Sequence, residues 1–325
     1  MSINIRIQTD SLKMKIRSSG NFSRGLEKNY SGIVLLAVFT MMLVACKDES
    51  KQTFEDPDAK KVDFRYSVPW WQTSVCLPDD PDKPLVGKEG QYYFDFNRGG
   101  PRNFAFSLTP QIDDTMKWIR QETWSAKVPI VRTWYEAKGL EMLCEAFLTI
   151  PEKLQTYSIP GSALTEGGKC HAVIMKVKKS GDHVKYCQPV ILIDGVDPVA
   201  FRKERGVVTI GDITQLLASD LIESFEKKGN QWFLKTRPLE IQPGDTYEVA
   251  FTILRGSQGK KALSVSDAIH ERDRAIKWWE SADLPWNAIQ VPDTAIQSIL
   301  QSCIRNIWQA REIKNGQPAF QVGPT

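Results

Sequence analysis

The sequence predicts a mainly β protein: one large antiparallel β-sandwich over residues 62–258, followed by a linker helix at 264–283 and a second helix within 291–325. Three observations carry this. Apolar residues recur with period two between Val62 and Arg255. Turn-forming residues divide that stretch with no helical pattern between them, which argues a sandwich. At Ser264 the period changes to that of a helix.

The clearest strand covers residues 140–150. Leu140, Met142, Cys144, Ala146, Leu148 and Ile150 share one face, and Glu141, Leu143, Glu145, Phe147 and Thr149 share the other. A second covers 246–255, with Tyr247, Val249, Phe251 and Ile253 on one side. Further strands are expected at 91–96, 103–108, 116–124, 128–137, 171–178, 186–193, 207–210 and 232–236. The turns between them include Asn97-Arg98-Gly99-Gly100-Pro101, Lys138-Gly139, Ser180-Gly181-Asp182, Lys228-Gly229-Asn230 and Gln242-Pro243-Gly244-Asp245. Each supplies a positive or a fixed φ where the chain reverses. Residues 213–225 fit either strand or one short helix. Cys170 and Cys187 flank an expected hairpin, so a disulfide between them is one reading of the pair.

Ser264-Val265-Ser266-Asp267 offers N-cap residues for the linker helix. Ala268, Ile269, Arg272, Ala275, Ile276 and Trp279 then fall on one face. Asp283-Leu284-Pro285-Trp286 breaks the helix, and Pro292-Asp293 opens the next. In that second helix Ile296, Ile299, Leu300, Cys303, Ile304, Ile307 and Trp308 form one apolar stripe. Lys314-Asn315-Gly316 reads as its C-cap, and residues 317–325 as a loop. A stripe of this kind must be buried against something. The expectation is a chain that is the front part of a longer protein, lacking a C-terminal helical domain. The alternative is that both helices pack on the sandwich.

The N-terminal 61 residues read as address and tether. A basic lead (Arg6, Lys13, Lys15, Arg17, Arg24, Lys28) precedes the uncharged run 30–45, too short to span a bilayer. It ends in Leu43-Val44-Ala45-Cys46. Residues 1–45 are therefore expected to be a signal peptide, and 46–61 a solvated tether. Met14 is an alternative start.

Charge then changes meaning. The 42 Lys and Arg include six in the first 45 residues and the 39 Asp and Glu include two, so residues 46–325 are nearly neutral. No basic stripe remains to bind nucleic acid. The six cysteines match no metal-ligand spacing, and the three histidines are scattered. Cys144 and Cys303 each lie on an apolar face and read as small buried hydrophobes. No cofactor or metal is called for, and calcium held by loop carboxylates stays open.

Two resemblances follow from these residues. Leu43-Val44-Ala45-Cys46 resembles the lipobox of bacterial lipoproteins, which implies a lipid on Cys46 and attachment to a membrane. Cys46-Lys47-Asp48-Glu49 resembles the signal that sends lipoproteins of the Bacteroidetes type to the outer face of the outer membrane, with the periplasmic face as the alternative. Trp278-Trp279-Glu280, Ile289-Gln290-Val291-Pro292-Asp293, the run 302–309, Arg311-Glu312-Ile313 and Gln321-Val322-Gly323-Pro324-Thr325 resemble the front of six-hairpin glycoside hydrolases. The resemblance implies a sandwich, a linker helix and the first helix of an incomplete (α/α)6 toroid. It implies an oligo- or polysaccharide substrate, cleaved with inversion by paired carboxylates. In that family the pair comes from later toroid helices, so no catalytic residue is assigned here.

The acids present give no clear pair. Asp113-Asp114 reads as a turn, Glu141 and Glu145 as an exposed strand edge, and Glu122 and Glu136 have no assignable partner. Trp308, Gln309, Arg311 and Gln321 are the candidate substrate contacts: an indole stacks on a sugar ring, while guanidinium and amide groups bond vicinal hydroxyls. The competing readings are core for Trp308 and helix-dipole compensation for Arg311. The functional expectation is a glycan-degrading lipoprotein; the alternative is a non-catalytic surface lipoprotein that binds glycans or serves adhesion.

Overall fold

The computed structural model describes residues 73–113, 115–152, 154, 169–179, 185–256, 262–285 and 288–320. The signal peptide, Cys46, the tether, Asp114, the turn at 180–182, Trp286 and Gln321 lie outside them.

Two large antiparallel sheets form the sandwich. One has the spatial order β1 (Thr73–Ser74), β2 (Leu85–Val86), β3 (Tyr92–Phe96), β4 (Phe104–Gln111), β10 (Val190–Gly195), β15 (Gln231–Thr236), β14 (Ile222–Lys228). The other runs β11 (Val199–Arg202), β12 (Val207–Ile210), β13 (Thr214–Ala218), β17 (Thr246–Arg255), β8 (His171–Lys179), β7 (Leu140–Leu148), β6 (Val131–Ala137), β5 (Lys117–Thr123). Two small ribbons pair β16 (Leu239–Ile241) with β9 (Lys185–Cys187), and β18 (Arg311–Lys314) with β19 (Gln317–Phe320).

The period-two pattern becomes register. Cys144 lies opposite Met175, and Met175 opposite Val249; all three are buried. Phe94, Phe106, Leu108, Ile193 and Leu234 of the first sheet join Met142, Val173, Met175, Phe251 and Ile253 of the second in one apolar cluster. Polar ties cross the same gap. The Tyr135 hydroxyl donates to the Glu89 carbonyl at 2.6 Å, and Tyr92 Oη lies 2.7 Å from His171 Nδ1.

The linker helix α1 (Val265–Ser281) packs on β7, β8 and β17, burying Ala268, Ala275, Trp278 and Trp279. The Ser264 hydroxyl caps it by accepting from the Asp267 amide at 3.1 Å. Helix α2 (Thr294–Gln309) starts at Asp293, whose carboxylate accepts from the Ala295 and Ile296 amides. No helix among the described residues is long and apolar enough to cross a membrane.

The open reading of residues 213–225 resolves to strand, as β13 and β14. Three expectations are corrected. β8 is flanked on both sides by β7 and β17, so it has no free edge for a hairpin with β9, which pairs with β16 instead. Cys170 and Cys187 are accordingly not bonded to each other. Asn315-Gly316 is not a helix C-cap. With φ of 52° and 75° it is the two-residue turn of the β18–β19 hairpin, and part of the expected loop is strand β19.

Candidate docking interface

Helix α2 is amphipathic in the sense opposite to an ordinary surface helix. Its buried residues are Arg305 and Gln309, at 3% and 0% exposure. Ile296, Ile299 and Ile307 are more than half exposed, at 51%, 54% and 54%. Cys303 is exposed between them, which corrects its reading as a buried hydrophobe. Ile304 and Trp308 lie at the margin, partly packed on the core.

Polar chemistry explains the orientation. Arg305 Nη1 donates to the carbonyls of Ala126 and Ser125 at 3.0 and 3.3 Å. Gln309 Nε2 donates to the carbonyls of Ser74 and Cys76 at 3.0 and 2.9 Å. The Gln309 carbonyl sits in the last helical turn, where no intrahelical partner exists. It accepts from Lys83 Nζ at 2.6 Å and from the Cys76 thiol at 3.5 Å. The Arg311 carbonyl accepts from Lys83 Nζ at 2.9 Å and from the Asp79 amide at 3.1 Å. Arg311 then makes a bidentate pair with Asp79, at 2.6 and 2.7 Å, and its guanidinium stacks 4.0 Å from the Trp308 ring centre. Segment 74–83 thus clasps residues 309–311 from more than 220 positions away in the chain.

A buried ionic layer lies beneath the clasp. Asp80, with a fully buried side chain, pairs with Lys169. Asp82 contacts His171 Nε2 at 3.4 Å and Arg255 at 3.3 Å, and Arg255 also pairs with Asp95. Burial pulls the Asp82 carboxyl upward. The hydrogen bond from His171, with the charges of His171, Arg255 and Lys169, outweighs it and holds the group down at about 2. Burial pushes the Cys76 thiol up to about 12, so it is inert, and pushes Arg305 down to about 10, where it is still a cation at neutral pH.

These are the pairings of a joint. The buried carboxylates Asp79, Asp80 and Glu145 each meet a cation: Arg311, Lys169 and Arg272. An acid/base couple needs one carboxyl kept protonated. Glu141 is exposed as expected, whereas Glu145 is buried, which corrects its reading as an edge residue. Asp113 accepts from the amide and hydroxyl of Thr115, both at 2.7 Å, as an Asx turn does. Among the described residues, no group of three or more His, Cys, Asp or Glu is placed to hold a metal ion.

Of the four residues the sequence singles out, three come together here. Gln309 and Arg311 face into the sandwich, and Trp308 is half-buried against Arg311. Gln321 lies outside the described residues. Sequence reasoning missed their partners Asp79 and Lys83. The segment Leu77-Pro78-Asp79-Asp80-Pro81-Asp82-Lys83 carries only the signal of a polar loop.

No protein-family description and no curated protein matches this chain. Among solved structures it is similar to one titled "Putative kojibiose phosphorylase from human microbiome", with a TM-score of 0.34 and 6% identity over 73% of this chain. The chain spans 36% of the length of that structure.

Two outcomes are expected of the clasp. Arg311→Met leaves the Asp79 charge buried and costs about 3–5 kcal/mol in urea denaturation. Adding Asp79→Asn, a residue that tolerates the positive φ at this position, recovers part of the loss. A single-variant cost under about 1 kcal/mol contradicts a buried pair. Asp82 sets a pH dependence: its depressed carboxyl stabilises the fold fully above its ordinary 3.8, and that contribution disappears as pH falls through about 2. Asp82→Asn therefore flattens the acid limb of a stability–pH curve in that window by about 2 kcal/mol. An unchanged acid limb contradicts it.

Proposed function

We propose that this chain is the front part of a glycan-degrading enzyme, and that α2 is the first helix of a helical catalytic domain docking on it. The observation that supports this is the polarity of α2: its polar edge is fixed in the sandwich and its apolar stripe faces outward. A soluble surface has no use for isoleucines repeated at helical spacing on a rigidly mounted helix. The stripe from Ile296 to Ile307 is about 16 Å long, enough to seat neighbouring helices at the usual 8–10 Å. The resemblance of residues 278–325 to six-hairpin glycoside hydrolases supplies the kind of domain.

In this reading the sandwich and α1 are the mount, and the chemistry lies beyond Thr325. One carboxylic acid there protonates the glycosidic oxygen, and a carboxylate activates water on the opposite face of the sugar, giving inversion. The substrate is an oligo- or polysaccharide. Cys46 carries the lipid that holds the enzyme to the outer membrane, displayed at the cell surface.

The test compares two purified proteins on a panel of plant and host glycans. The 325-residue chain is expected to show no turnover. A longer product of the same reading frame, with amphipathic helices after Thr325, is expected to release reducing sugar. Robust turnover by the 325-residue chain contradicts the proposal, as does a longer product that adds no helices.

A further inference from the structure

Beside α1, the face of β5–β6–β7 turned away from the core carries a second polar assembly, with no part in the clasp. Its side chains alternate between cation and aromatic ring. Arg272 of α1 lies 5.4 Å from the Trp124 ring centre. Arg132 of β6 lies 5.1 Å from Trp124 and 4.7 Å from Trp134. Arg120 of β5 lies 3.5 Å from Trp134. Carboxylates run alongside in the same order. Glu122 joins Arg120 and Arg132 at 2.7 and 3.2 Å. Glu145 of β7 joins Arg132 and Arg272 at 3.4 and 2.7 Å.

Strand register builds the ladder. Glu122 lies directly opposite Arg132, Arg132 opposite Glu145, and Arg120 opposite Trp134. Arg120 and Glu122, two residues apart in continuous register, share this face, and the register shifts only beyond Arg120, toward Trp118. Guanidinium groups suit the position because one planar cation both stacks on a ring and pairs with a carboxylate. The three arginine side chains are only 25%, 26% and 17% exposed, so water screens them little. The rings are stacked against arginines, which argues against an open platform for sugars.

We infer that Arg272–Trp124–Arg132–Trp134–Arg120 is a positioning clamp that fixes α1 on the sheet. Arg272 is the rung that belongs to the helix; the other four belong to strands β5 and β6 or the residue after β5. The clamp stands whether or not the chain continues into a catalytic domain.

Hydrogen exchange of the full chain tests it, read as α1 amides against those of β10 and β15 in the opposite sheet. Arg272→Lys keeps the charge for Glu145 but loses the planar stack. Trp134→Leu removes a rung that touches the ladder only through Arg120 and Arg132. Both variants are expected to speed α1 exchange by about fivefold and to leave β10 and β15 unchanged. Wild-type exchange in Arg272→Lys means that the Glu145 pair alone holds the helix, and overturns the clamp. So does wild-type α1 exchange in Trp134→Leu. Equal acceleration of α1 and both strands means lost sandwich stability rather than lost positioning, and counts against it too.

Discussion

The architecture turns on one constraint: Gln309 and Arg311 are buried in the sandwich rather than presented by it. An amide and a guanidinium go into a protein interior only where every donor meets an acceptor, because an unmade hydrogen bond there costs more than a made one contributes. Segment 74–83 supplies those acceptors, as the Ser74 and Cys76 carbonyls and the Asp79 carboxylate. Once these two residues are held, the helix leading into them has no rotational freedom. Arg305, one turn earlier, lands on the Ser125 and Ala126 carbonyls. The isoleucines, on the opposite side, land in solvent.

The two helices are therefore mounted by different physics. α1 is held partly by apolar contact, with Trp278 and Trp279 against the outer face of β7, β8 and β17, and partly by the arginine–tryptophan ladder at its side. α2 is held by polar contact at its buried Arg305 and Gln309, with Ile304 and Trp308 packed on the core at its margin. Apolar packing tolerates small slips, while bidentate pairs do not. A helix that must present its free face at a fixed angle is better held by the second kind. The ionic layer of Asp80, Asp82, Lys169, His171 and Arg255 extends the same rigidity to the ends of β8 and β17.

Much of the fold was legible from local pattern. Period two gave β7 its correct inward face from Leu140 to Leu148, and the capping residues Ser264 and Asp293 marked both helix starts. What failed depended on partners distant in sequence. Nothing near Cys170 says that β8 has both edges occupied. Asn-Gly signals a turn equally after a helix and between strands, and only the pairing of Arg311 with Phe320 decides it. The apolar stripe of α2 was read correctly as a stripe. What holds it facing outward was not legible, because the acceptors that draw Gln309 and Arg311 inward lie in a segment that carries only the signal of a polar loop. Glu145 was misjudged for the same reason: its arginine partner Arg272 is on a helix 127 residues away.

The outward direction of that stripe is most directly measured by methyl NMR of isoleucine-labelled protein with a soluble paramagnetic probe. The δ1 methyls of Ile296, Ile299 and Ile307 should be broadened strongly, while Ile130, buried at 1% exposure, stays sharp. If the three helix methyls are as protected as Ile130, the stripe is already covered by this chain, and the account of α2 as an open docking face is wrong.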